Sequence, residues 1–450
     1  MMTTYLPQYA LATVPRYTSY PPATQFHSGV GESVYRDWLG AIGLQDTLSL
    51  YVHIPFCQTL CWYCGCHTSV PNSNERVLNY VETLKLEIAR VGACVSSSAK
   101  VVQVHFGGGT PNFLPPKILA AIIETLMEQF NFDPGAEISV EADPRSLSKE
   151  HISTLAGYAR VRVSLGVQDV SPDVQKLINR IQPFEEVQGV VEQLRAAGVE
   201  GINMDLMYGL PGQSVAHVRK SASMCAALEP DRFAVFGYAH VPWFKKHQRA
   251  IDESRLAGGQ ERLDQAEAAR ATLIGFGYAP IGIDHFAKPG DSLFKAHSEG
   301  RLRRNFQGYT VDPASALIGF GASSIGSFQA GYIQNEPHLG KYRDALKSGG
   351  LPVARGVVVS QSERRARAVI ERLMCNYEVD LQQVADEENC EISVFLPAIS
   401  NLEPLCSDGI VEVELPVVRA TPKGRPYIRN IAACFDEHYG ESEQRYSRVV

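Results

Sequence analysis

The stretch YVHIPFCQTLCWYCGCHT, residues 51–68, begins as a β-strand and continues into a loop that holds four cysteines. Its first residues form the apolar run of a buried strand, and Cys57, Cys61, Cys64 and Cys66 follow within ten positions. The 450-residue chain contains only ten cysteines, so this stretch gathers nearly half of them. Thiols this close together predict a metal or redox site.

Five further strand-like runs follow this strand along the chain. They alternate with segments in which apolar residues recur every three or four positions, as they do in helices that face a core. This alternation predicts an α/β fold with a parallel sheet and right-handed crossovers. Periodicity alone leaves open whether the sheet is open, doubly wound or curled into a barrel. The six predicted strands are residues 49–54, 101–106, 137–142, 160–165, 202–209 and 232–238.

The pattern changes near both ends of the chain. Residues 1–45, rich in Pro and Tyr, are predicted as an N-terminal arm, and residues 46–345 as the α/β body. Residues 346–450 begin with a Ser-capped helix and later contain a hairpin before a last helix, which predicts a small, mostly helical C-terminal domain with a β-wing. A wing beside helices also suggests a nucleic-acid binder. The basic residues that would contact nucleic acid are Arg364, Arg365 and Arg367.

Composition favours a lid or scaffold domain over that nucleic-acid binder. The chain has 42 basic and 49 acidic residues, a net charge of −7, which argues against a general nucleic-acid surface. No apolar stretch approaches the roughly 18 residues of a membrane span, and the first residues lack the pattern of a signal peptide. We therefore expect a cytoplasmic protein that binds neither membrane nor nucleic acid. In that reducing compartment a thiol cluster holds metal or does redox chemistry more often than it forms disulfides.

Chemically distinctive residues follow each predicted strand. Because the carboxyl ends of parallel strands share one face, these residues are expected to surround one pocket. Each alone has an ordinary explanation, such as a turn or a helix cap. In strand order they are the cysteine loop, the GGGTP stretch at 107–111, Glu141 with Asp143, Gln168 with Asp169, Asp205, and Ala239 with His240.

Two metal assignments fit the cysteine loop. The C-x3-C-x2-C spacing of Cys57, Cys61 and Cys64 allows one loop to hold an iron–sulfur cluster and to leave one iron open to a ligand. The alternative is a structural zinc held by all four thiols, with His53 or His67 as substitutes. Structural zinc usually takes two separated ligand pairs, so the spacing favours iron and sulfur.

The motif CQTLCWYC resembles the signature loop of the radical S-adenosylmethionine (SAM) family. With PRYTSYPPA, HFGGGTPNFL, EADPRSL, SLGVQD, DLMYGLPGQ, YAHVPW and RRNFQGYT, the chain from about residue 15 onward resembles one branch of it, the oxygen-independent coproporphyrinogen III oxidases. The resemblance implies a partial barrel of six strand–helix units. It also implies a [4Fe-4S] cluster, two bound SAM molecules, and decarboxylation of two propionates of coproporphyrinogen III to vinyl groups in haem synthesis.

The resemblance implies roles for particular residues. The cluster ligands are Cys57, Cys61 and Cys64, whereas Cys66 matches an extra cysteine that is not a ligand. Tyr51 lies beside the cluster strand and counts among the catalytic residues. Tyr63 matches a position that contacts the second SAM. The remaining SAM contacts implied by the resemblance are Gly108, Gly109, Thr110, Glu141, Gln168, Arg180, Asp205, Ala239 and Ile325.

A substrate with four propionates needs cations, because guanidinium groups bind carboxylates in a two-pronged geometry. Arg16, Lys288, Arg303 and Arg304 are the candidates, although any of them fits an ordinary surface charge as well. The other expected partner is an electron donor of unidentified nature, and the expected state is a monomer. Two rivals share the signature loop: a haem chaperone descended from the family and an anaerobic haem-degrading radical enzyme. The fourth cysteine and RRNFQGYT favour the decarboxylase.

Overall fold

The computed structural model describes residues 4–440 and 448–449. Residues 1–3, 441–447 and 450, at the ends of the predicted arm and C-terminal domain, lie outside the described residues. In chain order, the described strands are β1 (Thr47–Ile54), β2 (Lys100–Gly108), β3 (Asn131–Ala142), β4 (Val161–Gln168), β5 (Gly201–Tyr208), β6 (Arg232–Gly237), β7 (Ala279–Ile281), β8 (His285–Ala287), β9 (Arg303–Asn305), β10 (Gly308–Thr310), β11 (Ala316–Phe320), β12 (Ile325–Phe328), β13 (Gly331–Asn335), β14 (Val353–Val358), β15 (Glu378–Asp380), β16 (Val411–Glu414) and β17 (Val417–Ala420).

The α-helices lie mainly between these strands. In chain order they are α1 (Pro7–Ala10), α2 (Glu32–Gly40), α3 (Asn74–Gly92), α4 (Pro116–Gln129), α5 (Lys149–Ala156), α6 (Pro172–Leu177), α7 (Phe184–Ala196), α8 (Val215–Ala226), α9 (Gly259–Gly275), α10 (Ser292–Ser298), α11 (Leu339–Lys347), α12 (Gln361–Asn376), α13 (Leu381–Glu387), α14 (Leu396–Ser400), α15 (Glu403–Ser407) and α16 (Ile428–Ala433). Within the described residues, none of the helices combines the length and the apolar character that a membrane span requires.

The chain forms two compact units, each built from separate stretches of sequence. The sheet unit contains Phe26–Asp205 and Asp312–Val358. The cavity unit contains the described residues of Met1–Gln25, Leu206–Val311 and Val359–Val450. The predicted division at residues 45 and 345 stays a prediction of how the chain is organised.

The sheet unit is built around β1, the strand that precedes the cysteine loop. Strands β1, β2, β3 and β4 pair in parallel and in this order, and β11 pairs in parallel with β1 on its other side. Beyond β11 the sheet continues through β12, β13 and β14, which pair antiparallel. All six predicted strands exist as β1 to β6, so the prediction of a parallel α/β core is confirmed. The four strands from β11 to β14 were not predicted.

Helix α3 shows why the crossover segments are helical. Ser73 caps its first turn, because the Ser73 side chain accepts a hydrogen bond from the backbone amide of Arg76. Such a cap contributes about 1 kcal/mol. Val77, Leu84 and Ile88 lie on one face at helical spacing and are buried. That apolar stripe attaches the helix to its core.

The cavity unit combines a short sheet with the C-terminal helices. Strand β8 pairs antiparallel with both β6 and β7. Helix α12 begins with a capping box in which Ser360 and Glu363 satisfy each other's backbone amides, as its Ser-rich start suggests. Strands β16 and β17 form the predicted hairpin, and β15 adds a third strand to it. The C-terminal region is thus mostly helical, as expected.

Candidate active site

The thiol loop, residues 57–68, follows β1 and is closed at its base by backbone hydrogen bonds. The amide of Cys57 donates to the carbonyl of Ser69 at 3.1 Å, and the amide of Ser69 donates to the carbonyl of Pro55 at 2.8 Å. These two bonds form a short parallel bridge between the ends of the loop. The loop therefore has a fixed base at the carboxyl end of β1.

The cysteines of this loop differ in their exposure. Cys61 is buried, Cys57 and Cys64 are half-buried, and Cys66 is exposed. The amide of Cys64 donates to the carbonyl of Cys61 at 3.1 Å, which turns the backbone between these two thiols. A hydrogen bond between the Cys64 and Cys66 thiols raises the pKa of Cys66.

Two hydroxyl groups lie against the Cys57 sulfur. Its Sγ is 3.1 Å from Thr68 Oγ1 and 3.4 Å from Thr110 Oγ1. Burial raises the pKa of the Cys57 thiol, and the two hydroxyl contacts oppose this effect. A thiolate at this position would accept hydrogen bonds from both threonines. This donor set fits a metal cluster held by thiolates.

Arg180 supplies buried positive charge beside the thiol loop. Its Nη1 lies 3.2 Å from Asp143 Oδ2 and 3.7 Å from Cys61 Sγ, and its Nη2 donates to the carbonyl of Gly166 at 2.5 Å. Burial alone would lower the pKa of this guanidinium, but Tyr63 and Asp143 raise it. A fixed cation next to Cys61 can offset the negative charge of a thiolate-bound cluster, so Arg180 also fits an iron–sulfur cluster.

Glu141 at the end of β3 is held as a carboxylate. His105 Nε2 lies 3.0 Å from its Oε1, and the amide of Gly108 donates to its Oε2 at 3.2 Å. Burial acts to raise the pKa of Glu141, but the contact with His105 and the Gly108 amide hold it below its ordinary value. This carboxylate can accept hydrogen bonds from the amine or hydroxyls of a ligand.

The glycines after β2 allow the backbone to pass close to β1. A Cβ atom on Gly108, whose φ is +110°, would lie 2.4 Å from the His53 ring. A Cβ atom on Gly109 would lie 2.9 Å from the carbonyl oxygen of Ile54 and 2.8 Å from that of Phe56. In this structure both glycines are required by packing against the base of the thiol loop.

Asp205 in β5 is the second carboxyl group on this edge of the sheet. Its Oδ1 accepts a hydrogen bond from Ser164 Oγ at 3.2 Å. Burial, together with the charge of Glu141, raises the pKa of Asp205 to about 7. The site thus holds one carboxylate that is ionised and one carboxyl group that titrates near neutral pH.

The other predicted residues of the sheet unit are partly accessible. The Tyr51 hydroxyl lies 3.1 Å from His53 Nδ1, and burial raises the pKa of Tyr51. Gln168 ends β4 in the left-handed region, with φ of 69°, and Ile325 begins β12. Tyr63 lies in the thiol loop, and burial raises its pKa.

The buried carboxyl group of Glu87 anchors the loop between β11 and β12. Glu87 of α3 accepts hydrogen bonds from the amide of Gly321 at 2.7 Å, from Tyr342 Oη at 2.6 Å and from Asn335 Nδ2 at 2.5 Å. Burial raises the pKa of Glu87 to about 7, although the three hydrogen bonds act in the opposite direction. The loop that leads into Ile325 is therefore anchored to α3.

The cavity unit contains a cavity of about 1610 Å³. Ala239, Arg16 and Arg304 line it. The other two basic residues of the sequence prediction do not belong to its lining: Lys288 is half-buried and Arg303 is exposed. Lys288 Nζ donates to the carbonyl of Glu229 at 2.8 Å. The structure therefore brings together two of the four predicted cations.

Arg304 is buried, and its guanidinium lacks some of its hydrogen-bond partners. Its side chain is 5% exposed, and its Nη1 lies 4.0 Å from Asp284 Oδ1. Its Nη2 donates weakly to the carbonyl of Arg16 at 3.5 Å. Among the described residues, Arg304 Nε and Nη1 have no hydrogen-bond partner. A buried guanidinium with unpartnered N–H groups at a cavity wall is suited to a carboxylate ligand.

Several functional side chains were not predicted. His105 is an ordinary strand residue in the sequence, and only its contact with Glu141 gives it significance. Asp143 was predicted at the pocket together with Glu141, but its ion pair with Arg180 was not predicted. Arg262 and Arg425 also line the cavity, and Arg425 lies in the PKGRPYIRNI stretch, where a basic run was visible.

Within residues 4–440 and 448–449, no group of three His, Cys, Asp or Glu side chains is arranged around a single metal ion. The thiolates of a [4Fe-4S] cluster bind different irons and lie farther apart than the ligands of one ion. The basic residues of the nucleic-acid reading, Arg364, Arg365 and Arg367, are half-buried on α12, and Arg364 Nε lies 3.9 Å from Glu388 Oε2.

The family model described as Radical SAM superfamily matches residues 51–225, which contain the thiol loop, Glu141, Arg180 and Asp205. Fold and site thus define a radical SAM protein. The oxygen-independent coproporphyrinogen III oxidase of Bradyrhizobium diazoefficiens is 43% identical over 98% of each chain, and that of Paracoccus denitrificans is 40% identical over 94% of each. The chain belongs to the family of oxygen-independent coproporphyrinogen III oxidases.

A solved structure supports the same assignment. Coproporphyrinogen III oxidase (HemN) from Escherichia coli matches with a TM-score of 0.90 and 37% identity, over 94% of this chain and 97% of that chain. The predicted fold, a partial barrel of the radical SAM type with a helical C-terminal region, is therefore confirmed. Membership in this family implies a [4Fe-4S] cluster and SAM.

Proposed function

We propose that this protein catalyses the anaerobic oxidative decarboxylation of coproporphyrinogen III to protoporphyrinogen IX in haem synthesis. In this reaction each of two propionates loses a hydrogen atom, carbon dioxide and one electron, and becomes a vinyl group. The observation that carries the proposal is the 43% identity over 98% of the chain, because that range includes both the thiol loop and the arginine-lined cavity.

Cys57, Cys61 and Cys64 would hold the [4Fe-4S] cluster, which supplies the electron that cleaves SAM when both are bound. Thr68 and Thr110 would donate hydrogen bonds to a Cys57 thiolate, and Arg180 places positive charge beside Cys61. Cys66 is not among the proposed ligands.

The carboxyl edge of the sheet would bind SAM. Glu141 is ionised and accepts hydrogen bonds from amine or hydroxyl groups, whereas Asp205 gains charge near neutral pH. Arg180 is fixed by Asp143 and can orient a carboxylate. The remaining proposed contacts in the sheet unit are Tyr51, Gly108, Gly109, Thr110 and Gln168.

A second SAM molecule is part of the proposal. Tyr63 in the thiol loop is its proposed contact. Ile325 and Ala239 are proposed as apolar or backbone contacts to the adenine of SAM. Ala239 lines the cavity of its own unit and follows β6, as the sequence suggested.

The cavity would hold the porphyrinogen. Arg304 has two unpartnered N–H groups and Arg16 lies beside it, which favours this pair as a carboxylate site over Lys288 and Arg303, since those two lie outside the cavity lining. The cavity wall excludes water around the reacting side chain. We further propose that the protein is a cytoplasmic monomer that takes electrons from an unidentified donor and binds no nucleic acid.

The test is a reaction of the reconstituted protein under anaerobic conditions with SAM, a reductant and coproporphyrinogen III. We expect both 5′-deoxyadenosine and the divinyl product. A parallel reaction with haem separates the rivals, because a haem chaperone binds haem without consuming SAM and a haem-degrading enzyme consumes both. Deoxyadenosine without a vinyl product would contradict the proposal.

A further inference from the structure

The cavity carries a large excess of positive charge. Seven arginines and one lysine line it, against three carboxylates. An ordinary apolar ligand would not require this excess, whereas a polyanion would. Five of these arginines, Arg262 and Arg425 among them, have no role in the function proposed above.

Arg425 is held in place by a tyrosine ring. Its guanidinium carbon lies 5.2 Å from the ring centroid of Tyr377, whose hydroxyl donates to the carbonyl of Gly282 at 2.5 Å. Within the part of the chain that the structure describes, no carboxylate forms an ion pair with the Arg425 guanidinium. The group is positioned, charged and available to a ligand.

Arg304 is held in the same way. Its guanidinium carbon lies 4.7 Å from the ring centroid of Tyr309. The Tyr309 hydroxyl donates to the carbonyl of Met374 at 2.5 Å, so this ring is fixed as well. The same arrangement therefore occurs twice: a guanidinium on a tyrosine ring whose hydroxyl is bound to a backbone carbonyl.

Arg262 forms a third pair at the same cavity. Its guanidinium carbon lies 5.6 Å from the ring centroid of Tyr208, and its Nη2 donates to the carbonyl of Tyr238 at 2.9 Å. The remaining N–H groups of a guanidinium held in this way can donate hydrogen bonds to a carboxylate. Stacking on a ring reduces the conformational freedom that an arginine loses on binding.

We propose that Arg262, Arg304 and Arg425 are three separate carboxylate subsites, which hold the propionates that are not reacting. The inference rests on the proposed function. Coproporphyrinogen III has four propionates and one reacts at a time, so three remain to be held. The tricarboxylate formed after the first reaction keeps only two non-reacting propionates and engages two subsites.

The test is anaerobic equilibrium binding of two porphyrinogens in the absence of SAM: coproporphyrinogen III, with four carboxylates, and protoporphyrinogen IX, with two. We expect R425Q and R262Q each to raise the Kd for the tetracarboxylate about tenfold or more, because a charge-assisted hydrogen bond is lost. The Kd for the dicarboxylate should rise less, since it leaves subsites unused. The Kd of R425K for the tetracarboxylate should fall between those of the unsubstituted protein and R425Q, because lysine keeps the charge without the two-pronged geometry.

Arg301 provides the matched control. It is exposed, pairs with Glu299 and does not line the cavity, so R301Q should leave both Kd values unchanged. If the unsubstituted protein binds the tetracarboxylate and the Kd values of R425Q and R262Q equal that of R301Q, the three-subsite inference is overturned while the proposed function stands. If the unsubstituted protein does not bind it, the proposed function fails first. If a glutamine variant does not fold, R425K and R262K decide the matter.

Discussion

Two buried arginines, one in each unit, are compensated to different degrees. In the sheet unit, Arg180 is bound by a carboxylate at 3.2 Å and by a backbone carbonyl. In the cavity unit, Arg304 lies 4.0 Å from its nearest carboxylate, and two of its nitrogen atoms lack partners among the described residues. Burying a cation without a partner is costly. The protein itself supplies a carboxylate and a carbonyl to Arg180, whereas a ligand would have to supply the missing partners of Arg304. We therefore expect Arg180 to hold the site of the sheet unit in place and Arg304 to bind a carboxylate ligand.

Removing a thiol should abolish the function of the sheet unit entirely. C57A, C61A or C64A takes away one of three proposed cluster ligands, and we expect loss of bound iron and of deoxyadenosine formation after anaerobic reconstitution. Iron analysis and the visible absorbance of the cluster measure this loss. C406S is the control, because Cys406 is exposed and outside the thiol loop. A C57A protein with its full iron content would refute the ligand assignment.

Removing Arg180 should destabilise the protein strongly. R180M removes the bond between the buried Asp143 carboxylate and Arg180, but Arg145 still pairs with that carboxylate at 2.5 Å. We therefore expect a loss of about 1.5–3 kcal/mol in the free energy of unfolding, the range for a hydrogen bond to a charged group. Denaturant unfolding of the two proteins measures the difference. R160Q is the control, because Arg160 is exposed and lies 3.9 Å from Glu137, and such pairs contribute about 0–1 kcal/mol. Equal losses in the two variants would mean that Arg180 is not held as a structural cation.

Removing Arg304 should act on substrate binding. We expect R304A to raise the Kd for coproporphyrinogen III about tenfold, since it removes a guanidinium from the cavity wall. R303A is the neighbouring control, because Arg303 is exposed and does not line the cavity. If R303A weakens binding as much as R304A, burial at the cavity wall does not select the substrate residues.

Asp205 should make SAM binding dependent on pH. Its pKa is raised to about 7, so below about pH 7 the carboxyl group is protonated when SAM is not bound. SAM is a cation and favours the ionised form, so its affinity should rise several-fold from pH 6 to pH 8. Equilibrium SAM binding across this range measures the effect, and D205N should flatten it. A pH dependence that survives in D205N must come from another group.

The core of the fold could be predicted because its signals are local. β1 to β6 are apolar runs between amphipathic helices such as α3, and each signal lies within about twenty residues. The strands β11 to β14 were missed because they are short, follow each other without helices between most of them, and gain their order only by pairing with β1 and with one another. Their stability depends on contacts that are distant in sequence.

The site was predictable where chemistry shows in residue type. Cysteine spacing identified the thiol loop, and Glu141 was visible at a strand end. His105 and Arg262 were not, because a histidine in a strand or an arginine in a helix carries no signal until a partner is seen. Four basic residues met the electrostatic requirement of the substrate equally well in the sequence. Only burial and the cavity lining distinguish Arg304 from Arg303.

The carboxyl group of Glu87 has a consequence for the folded state as a whole. Its pKa is about 7 in the folded protein and has the ordinary value near 4.5 when unfolded, so folding takes up a proton between these limits. The stability that this group contributes is complete below pH 4.5 and is lost as the pH rises through 7. Mildly acidic buffers should therefore preserve the sheet unit better than alkaline ones.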